Sequence, residues 1–222
     1  MADLSHTERL AAIASIQDSL RRSLYNLVSR NQAPMSRDDA ATALGMSRST
    51  AAFHLDRLVE SGLLTAHFAR TSGRSGPGAG RPAKLYEKAS AEISVTIPER
   101  HYDLMGDLLA EAIEAAERTS EPARSSLSRV AHERGAELGA RHQTIDELLM
   151  RVGYEPRPTP DGGVELANCP FHSLVSRHTE LVCEANVALL SGAALAVNEA
   201  KRTVEFSPEA GHCCVRLQPI AH

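Results

Sequence analysis

The sequence predicts an α+β chain in two units, and three observations predict it. Two capped helices lead into a pair of strands between residues 36 and 87. Long amphipathic helices fill residues 99–142. The last quarter alternates short strands with one apolar helix and holds every cysteine. The 222 residues suffice for two compact domains. We place the boundary between 1–97 and 98–222.

The elements follow in order. Ser5 and Glu8 match a capping box. A long helix is expected from there to about Arg30, with Leu10, Ile13, Ile16, Leu20, Leu24 and Leu27 on one side. Ser36 caps a short helix over 37–44, and Gly45 ends it. Ser47 caps the next helix. Leu55, Leu58 and Val59 recur at helical spacing and bury one face, while Arg48, Ser49, Thr50, His54 and Arg57 occupy the others. Gly62 supplies a left-handed stop. Alone, this segment also fits an ordinary amphipathic surface helix. Its flanks argue otherwise. Helix, glycine-containing turn and polar-headed helix is the helix-turn-helix order. A strand over 64–70, turn formers over 72–80 and a return strand over 81–87 make a hairpin, or wing. A flexible linker is the bland reading of the glycine tract, but linkers are rarely bracketed by matched strands.

A winged helix-turn-helix implies duplex DNA as partner. The residues expected to meet it are Arg37, Ser47, Arg48, Ser49, Thr50, His54 and Arg57, with Arg74, Arg81 and Lys84 from the wing. From Ala66 to Tyr86 there are four cations and no carboxylate, which suits phosphate approach or minor-groove entry. Charge is unevenly split. Residues 1–90 hold 12 Lys and Arg against 8 Asp and Glu, and the remainder 12 against 20. A basic head on an acidic body places nucleic acid at the head alone. No apolar run in the sequence suggests a membrane span, and the N-terminus lacks a signal-peptide layout. A cytoplasmic chain with reduced thiols is the expectation.

Ala91 to Ile97 alternates and predicts a short strand. A helix over 99–119 carries an apolar stripe wide enough for its own domain and a second subunit, although plain intradomain packing explains it equally well. A helix over 123–142 carries Gly135 and Gly139, small residues that allow close approach. Thr144 caps a further helix through Val152. Residues 164–168 read as a strand, 181–197 as an apolar helix, and 202–206 with 213–217 as a final strand pair.

All four cysteines, Cys169, Cys183, Cys213 and Cys214, lie after residue 168. In the cytosol such clustering points to metal or redox chemistry before disulfides. Cys169 precedes Pro170, a favoured first helical residue, so it is expected at a helix N-cap where the dipole favours thiolate. His172 lies three residues on. Cys183 is expected near the first turn of its helix, after a Thr179 cap. Strand parity puts Cys213 with Val215 and Leu217, facing inward. Three cysteines with a variable fourth ligand suit zinc or an iron–sulfur cluster. Buried cysteines acting as small apolar residues are the structural alternative. His172, His178 and His212 are individually more often solvated or core histidines than ligands.

Residues 47–58 (Ser-Arg-Ser-Thr-Ala-Ala-Phe-His-Leu-Asp-Arg-Leu), 80–86 (Gly-Arg-Pro-Ala-Lys-Leu-Tyr) and 168–172 (Asn-Cys-Pro-Phe-His) form three blocks. With the late Cys-x-Val-x-Leu at 213–217, they resemble ArsR-like winged-helix regulators related to the repressors of iron–sulfur-assembly operons. The resemblance spans roughly residues 10–217. It implies a homodimeric transcription repressor acting on a palindromic operator. It also implies a [4Fe–4S] cluster on Cys169, Cys183 and Cys213, with His172 or another group as fourth ligand. The Cys213-Cys214 doublet departs from that pattern. A structural zinc with an effector pocket, or a metal-free thiol switch, remain the alternatives. In that switch, exchange between the doublet and Cys169 or Cys183 is favoured over a strained vicinal bond. An enzyme using Cys169 and His172 as a thiolate pair lacks an orienting third group.

Overall fold

The computed structural model describes residues 4–70, 82–208 and 212–220. The chain divides into two compact units, Met1–Val95 and Thr96–His222.

In the first unit, the helix expected from Ser5 to Arg30 is two helices, α1 (His6–Ser15) and α2 (Ser19–Arg30). Asp18 breaks them apart. Its backbone is extended, and its carboxylate accepts from the amides of Leu20 and Arg21, so it caps a new helix instead of continuing the old one. The change of direction leaves Ile13 and Leu20 exposed, while Leu24 and Val28 are buried. A short strand β1 (Met35–Ser36) leads into α3 (Arg37–Leu44). The Ser36 hydroxyl accepts from the Asp39 amide, and the Asp39 carboxylate accepts from the Ser36 amide. Gly45 ends α3 at φ 63°, a conformation that costs other residues dearly. Ser47 caps α4 (Arg48–Glu60), and Gly62 stops the chain after it at φ 74°.

Strands β2 (Leu64–Ala69) and β3 (Ala83–Lys88) pair antiparallel, with Ala66 opposite Tyr86 and Phe68 opposite Lys84. Strand β1 lies on the other side of β3, giving the order β1-β3-β2. The core gathers Ala12, Leu24, Val28, Ala40, Leu55, Leu58, Leu64 and Tyr86. The strand expected over 91–97 does not form. Both edges of β3 are already taken, and of this segment Ile93 packs on the core while Ile97 stays exposed.

The second unit is built on α5 (Tyr102–Thr119), α6 (Ala123–Gly139), α7 (Ile145–Arg151) and α9 (Thr179–Ala196). Between α7 and α9 lies the four-residue helix α8 (His172–Val175). The antiparallel sheet runs β4 (Pro156–Pro158), β5 (Val164–Leu166), β7 (Val215–Pro219), β6 (Arg202–Phe206). The proline-rich 156–158 segment is the strand β4. Prolines are tolerated there because β4 is an edge strand. The last strand begins at Val215, two residues later than expected, so neither Cys213 nor Cys214 obeys its alternation.

Helix α9 is apolar over 18 residues, with mean hydropathy 1.3, long enough by length and composition to cross a membrane. That corrects the expectation of no such run. Half of it is buried within this unit, against α6. The two helices touch backbone to backbone. A Cβ added at Gly135 would lie 1.8 Å from the Leu189 carbonyl oxygen, and one at Gly192 would lie 2.0 Å from that of His132. The small residues foreseen on α6 serve this approach. Gly135→Ala and Gly192→Ala should each destabilise the second unit by about 3 kcal/mol or more, since backbone cannot step aside. Thermal melts of the two variants check this.

Candidate nucleic-acid face and cysteine centre

Helix α4 buries Ala51, Leu55 and Leu58 and exposes Ser49, Phe53, Arg57 and Glu60, a row with helical spacing. At its start the Ser47 hydroxyl accepts from the Thr50 amide at 3.1 Å and bonds the hydroxyls of Ser49 and Thr50. Arg48 reaches Asp38 at 3.2 Å, and Arg37 reaches it at 3.9 Å. Both arginines are exposed, so water and salt screen these pairs and a phosphate could replace the carboxylate. Arg57 pairs with Glu60 at 2.9 Å and lies over the Phe53 ring, 5.6 Å from its centroid. His54 is half-buried. It meets Phe53 edge-on at 5.2 Å, and the nearby Asp18 carboxyl is held low chiefly by the Arg21 amide.

Lys84 is engaged within the unit. Its Nζ donates to the Asp56 carboxylate at 2.7 Å, and the Tyr86 hydroxyl donates to the same oxygen at 2.8 Å. Burial opposes ionisation of Asp56, but these two donors outweigh it and hold the carboxyl below its usual range. Burial first, then the Asp56 charge, pushes the Tyr86 hydroxyl up. Three side chains thus pin β3 to α4. Arg74, Arg81 and the wing tip lie outside the described residues. Sequence reasoning passed over two exposed aromatics, Phe53 on α4 and Phe68 on β2. For Phe53 the signal was present, since it sits four residues after Ser49 and four before Arg57.

In the second unit all four cysteines are buried, from 0 % exposed at Cys183 to 8 % at Cys169. Cys183 and Cys214 form a disulfide with Cα atoms 6.2 Å apart, tying α9 to the segment before β7. Cys169 and Cys213 are free thiols. The Cys213 thiol donates to Cys169, which holds Cys169 below the ordinary thiol range against the cost of burial. The Phe171 amide and the Arg100 guanidinium assist. That same bond, with burial, pushes Cys213 far up. The pair therefore loses its first proton from Cys169 and keeps the second on Cys213.

A buried polar chain leads away from it. Asn186 Nδ2 donates to the Cys213 sulfur at 3.4 Å, and the Tyr154 hydroxyl donates to Asn186 Oδ1. Burial and the two neighbouring cysteines push the Tyr154 hydroxyl well above its usual value. On the other side, Arg100 Nη1 donates to the Cys169 carbonyl at 3.2 Å, to the Glu99 carbonyl and to Asn168 Oδ1. Asn168 Nδ2 donates to the carbonyls of Glu99 and Gly153. The segment carrying Cys169 is thus bolted to the chain entering α5.

Three local expectations need correcting. Cys169 is not a helix N-cap, because α8 begins at His172 and is preceded by Phe171. The amide that serves the Cys169 sulfur is instead that of Phe171. Thr179 is the first residue of α9, its hydroxyl spent on the Val175 carbonyl, and Cys183 lies a turn deeper. Cys213 and Cys214 are both inward, held by Cys213 N–H to the Leu166 carbonyl and Ser207 N–H to the Cys214 carbonyl. His172 and His178 are exposed, and His212 lies at the surface 3.8 Å from Glu165. Among the described residues no three His, Cys, Asp or Glu side chains are grouped to hold a metal ion.

Comparison with known proteins bears on the first unit. A family profile described as winged helix-turn-helix DNA-binding matches residues 17–65, which run from the turn before α2 into β2. No curated protein and no solved structure matches the chain. Residues 17–65 are a winged helix-turn-helix DNA-binding domain, which points to a transcription regulator acting on double-stranded DNA.

Proposed function

We propose that the chain is a homodimeric transcription regulator, a repressor by the resemblance of its motifs, whose DNA affinity follows the state of the cysteine centre. For DNA, the carrying observation is the exposed row on α4, set beside loosely paired Arg37 and Arg48. The α4 face would enter the major groove, and Lys84 would act by fixing the wing strand against α4. Arg48 and Arg57 are the base-reading candidates, each bidentate guanine contact contributing about 1–3 kcal/mol of discrimination. An Arg48→Ala, Arg57→Ala double variant should lose sequence-specific protection in a footprint. Protection identical to wild type would refute this placement.

One such helix covers few base pairs, so specificity calls for two half-sites related by a dyad. The outward face of α5 offers Gly106, Ala110 and Ile113, all exposed, with open space over Gly106. We assign the dimer seam to this face. Ile113→Arg should shift sedimentation toward the monomer, and an unchanged dimer would remove α5 from the interface.

For sensing, the carrying observation is that four cysteines from three segments meet in one core as a disulfide and a thiol pair. This arrangement supports a thiol switch. Two electrons from a dithiol reductant, with one proton to each sulfur, open Cys183–Cys214 and untie α9 from the segment before β7. The switch matters only if the two states differ in DNA affinity.

The second reading is the [4Fe–4S] cluster on Cys169, Cys183 and Cys213, favoured by the burial of all three and the easily ionised Cys169. With Cys183 bonded to Cys214 the donor set does not fit such a group, and exposed His172 is poorly placed as a fourth ligand. Zinc meets the same obstacle. Cys214→Ser separates the readings. It should abolish the response of DNA binding to dithiol reductants if the disulfide is the switch. It should leave the colour, iron and sulfide of anaerobically purified protein intact if the cluster is. Wild-type protein that is colourless and metal-free when prepared without oxygen would remove both metals.

A further inference from the structure

Phe53 is 58 % exposed at the middle of α4, where a large apolar side chain gains nothing from water. Its ring is nevertheless held. The Arg57 guanidinium lies over it at 5.6 Å, and the His54 ring meets it edge-on at 5.2 Å. It stands in one row with Ser49 and Arg57, between a hydroxyl and a cation. The row thus combines an apolar disc with a guanidinium whose exposed pair with Glu60 a DNA acceptor could displace, an arrangement suited to a surface that is polyanionic yet locally apolar. In the major groove of duplex DNA, the 5-methyl of thymine is the one apolar group a base edge presents. Phe68 is also exposed, but no cation or ring contact holds it among the described residues.

We propose that Phe53 is a specificity-determining residue that reads a thymine in each half-site through its 5-methyl group, beside the position engaged by Arg57. The inference rests on the reading of α4 as the DNA-facing helix. It also accounts for an exposed phenylalanine on a face where a polar residue would serve solubility better.

The test starts from a duplex selected out of a random pool by the full chain. Each thymidine of that duplex is then replaced singly by deoxyuridine, which removes only the methyl. For wild type, one position per half-site should lose about fourfold in affinity, the weight of one buried methyl-sized group. Phe53→Ala should bind the thymidine and deoxyuridine duplexes equally and keep the wild-type salt dependence, since phosphate contacts are untouched. No deoxyuridine effect at any position in wild type overturns the proposal without needing the variant. A deoxyuridine effect that persists in Phe53→Ala overturns it as well. A pool that yields no retained duplex refutes the DNA reading of α4 itself, and this inference with it.

Discussion

The second unit depends on the contact between α6 and α9. Gly135 faces the Leu189 carbonyl and Gly192 faces the His132 carbonyl, so each helix supplies the gap that the other fills. No side chain separates them there, and dispersion contacts between close backbones replace side-chain interdigitation. The consequence runs along α9. Cys183 and Asn186 ride on that helix, two turns or less from the crossing at Leu189. Their positions are therefore set by backbone packing, which leaves little slack. A cysteine centre built on such a helix has a defined geometry before any chemistry occurs.

The centre also shows how a polar chain survives inside an apolar core. Tyr154, Asn186, Cys213 and Cys169 are each buried among leucines, valines and alanines. Buried polar groups without partners would cost several kcal/mol, but here donor meets acceptor from the phenol to the Cys213 sulfur. Arg100 and Asn168 do the same for the backbone around Cys169, serving the carbonyls of Glu99 and Gly153 and adding a second donor to that of Cys169 beside the His172 amide. The protonation asymmetry of the thiol pair follows from this order, since Cys213 is the donor and Cys169 also receives an amide and a nearby guanidinium charge.

Local chemistry was legible in the sequence, and long-range pairing was not. Ser36, Ser47 and Thr144 were read as caps because a hydroxyl beside an orphan amide acts within one turn. Asp18 obeys the same rule and was missed, because an unbroken apolar stripe from Leu10 to Leu27 masked it. Ala91 to Ile97 has strand alternation, but β3, the strand it follows, already has a neighbour on each side. The edge position that lets β4 hold two prolines is one that no local pattern reveals. The cysteines were recognised as a group from clustering alone. Their pairing depends on where α9 crosses α6 and where β7 begins. A two-residue shift in that strand start removed the parity that distinguished Cys213 from Cys214.

The pin formed by Lys84, Asp56 and Tyr86 carries a final consequence. It commits one cation of β3 to a carboxylate on α4, which looks wasteful in a domain whose partner is an anionic polymer. Its return is entropic. A lysine and a strand that must be ordered upon docking lose conformational freedom at that moment, and the loss subtracts from affinity. Here the ordering is completed when the first unit folds. Strand β3 and helix α4 then reach any partner as one preorganised body, and the association step need not arrange them.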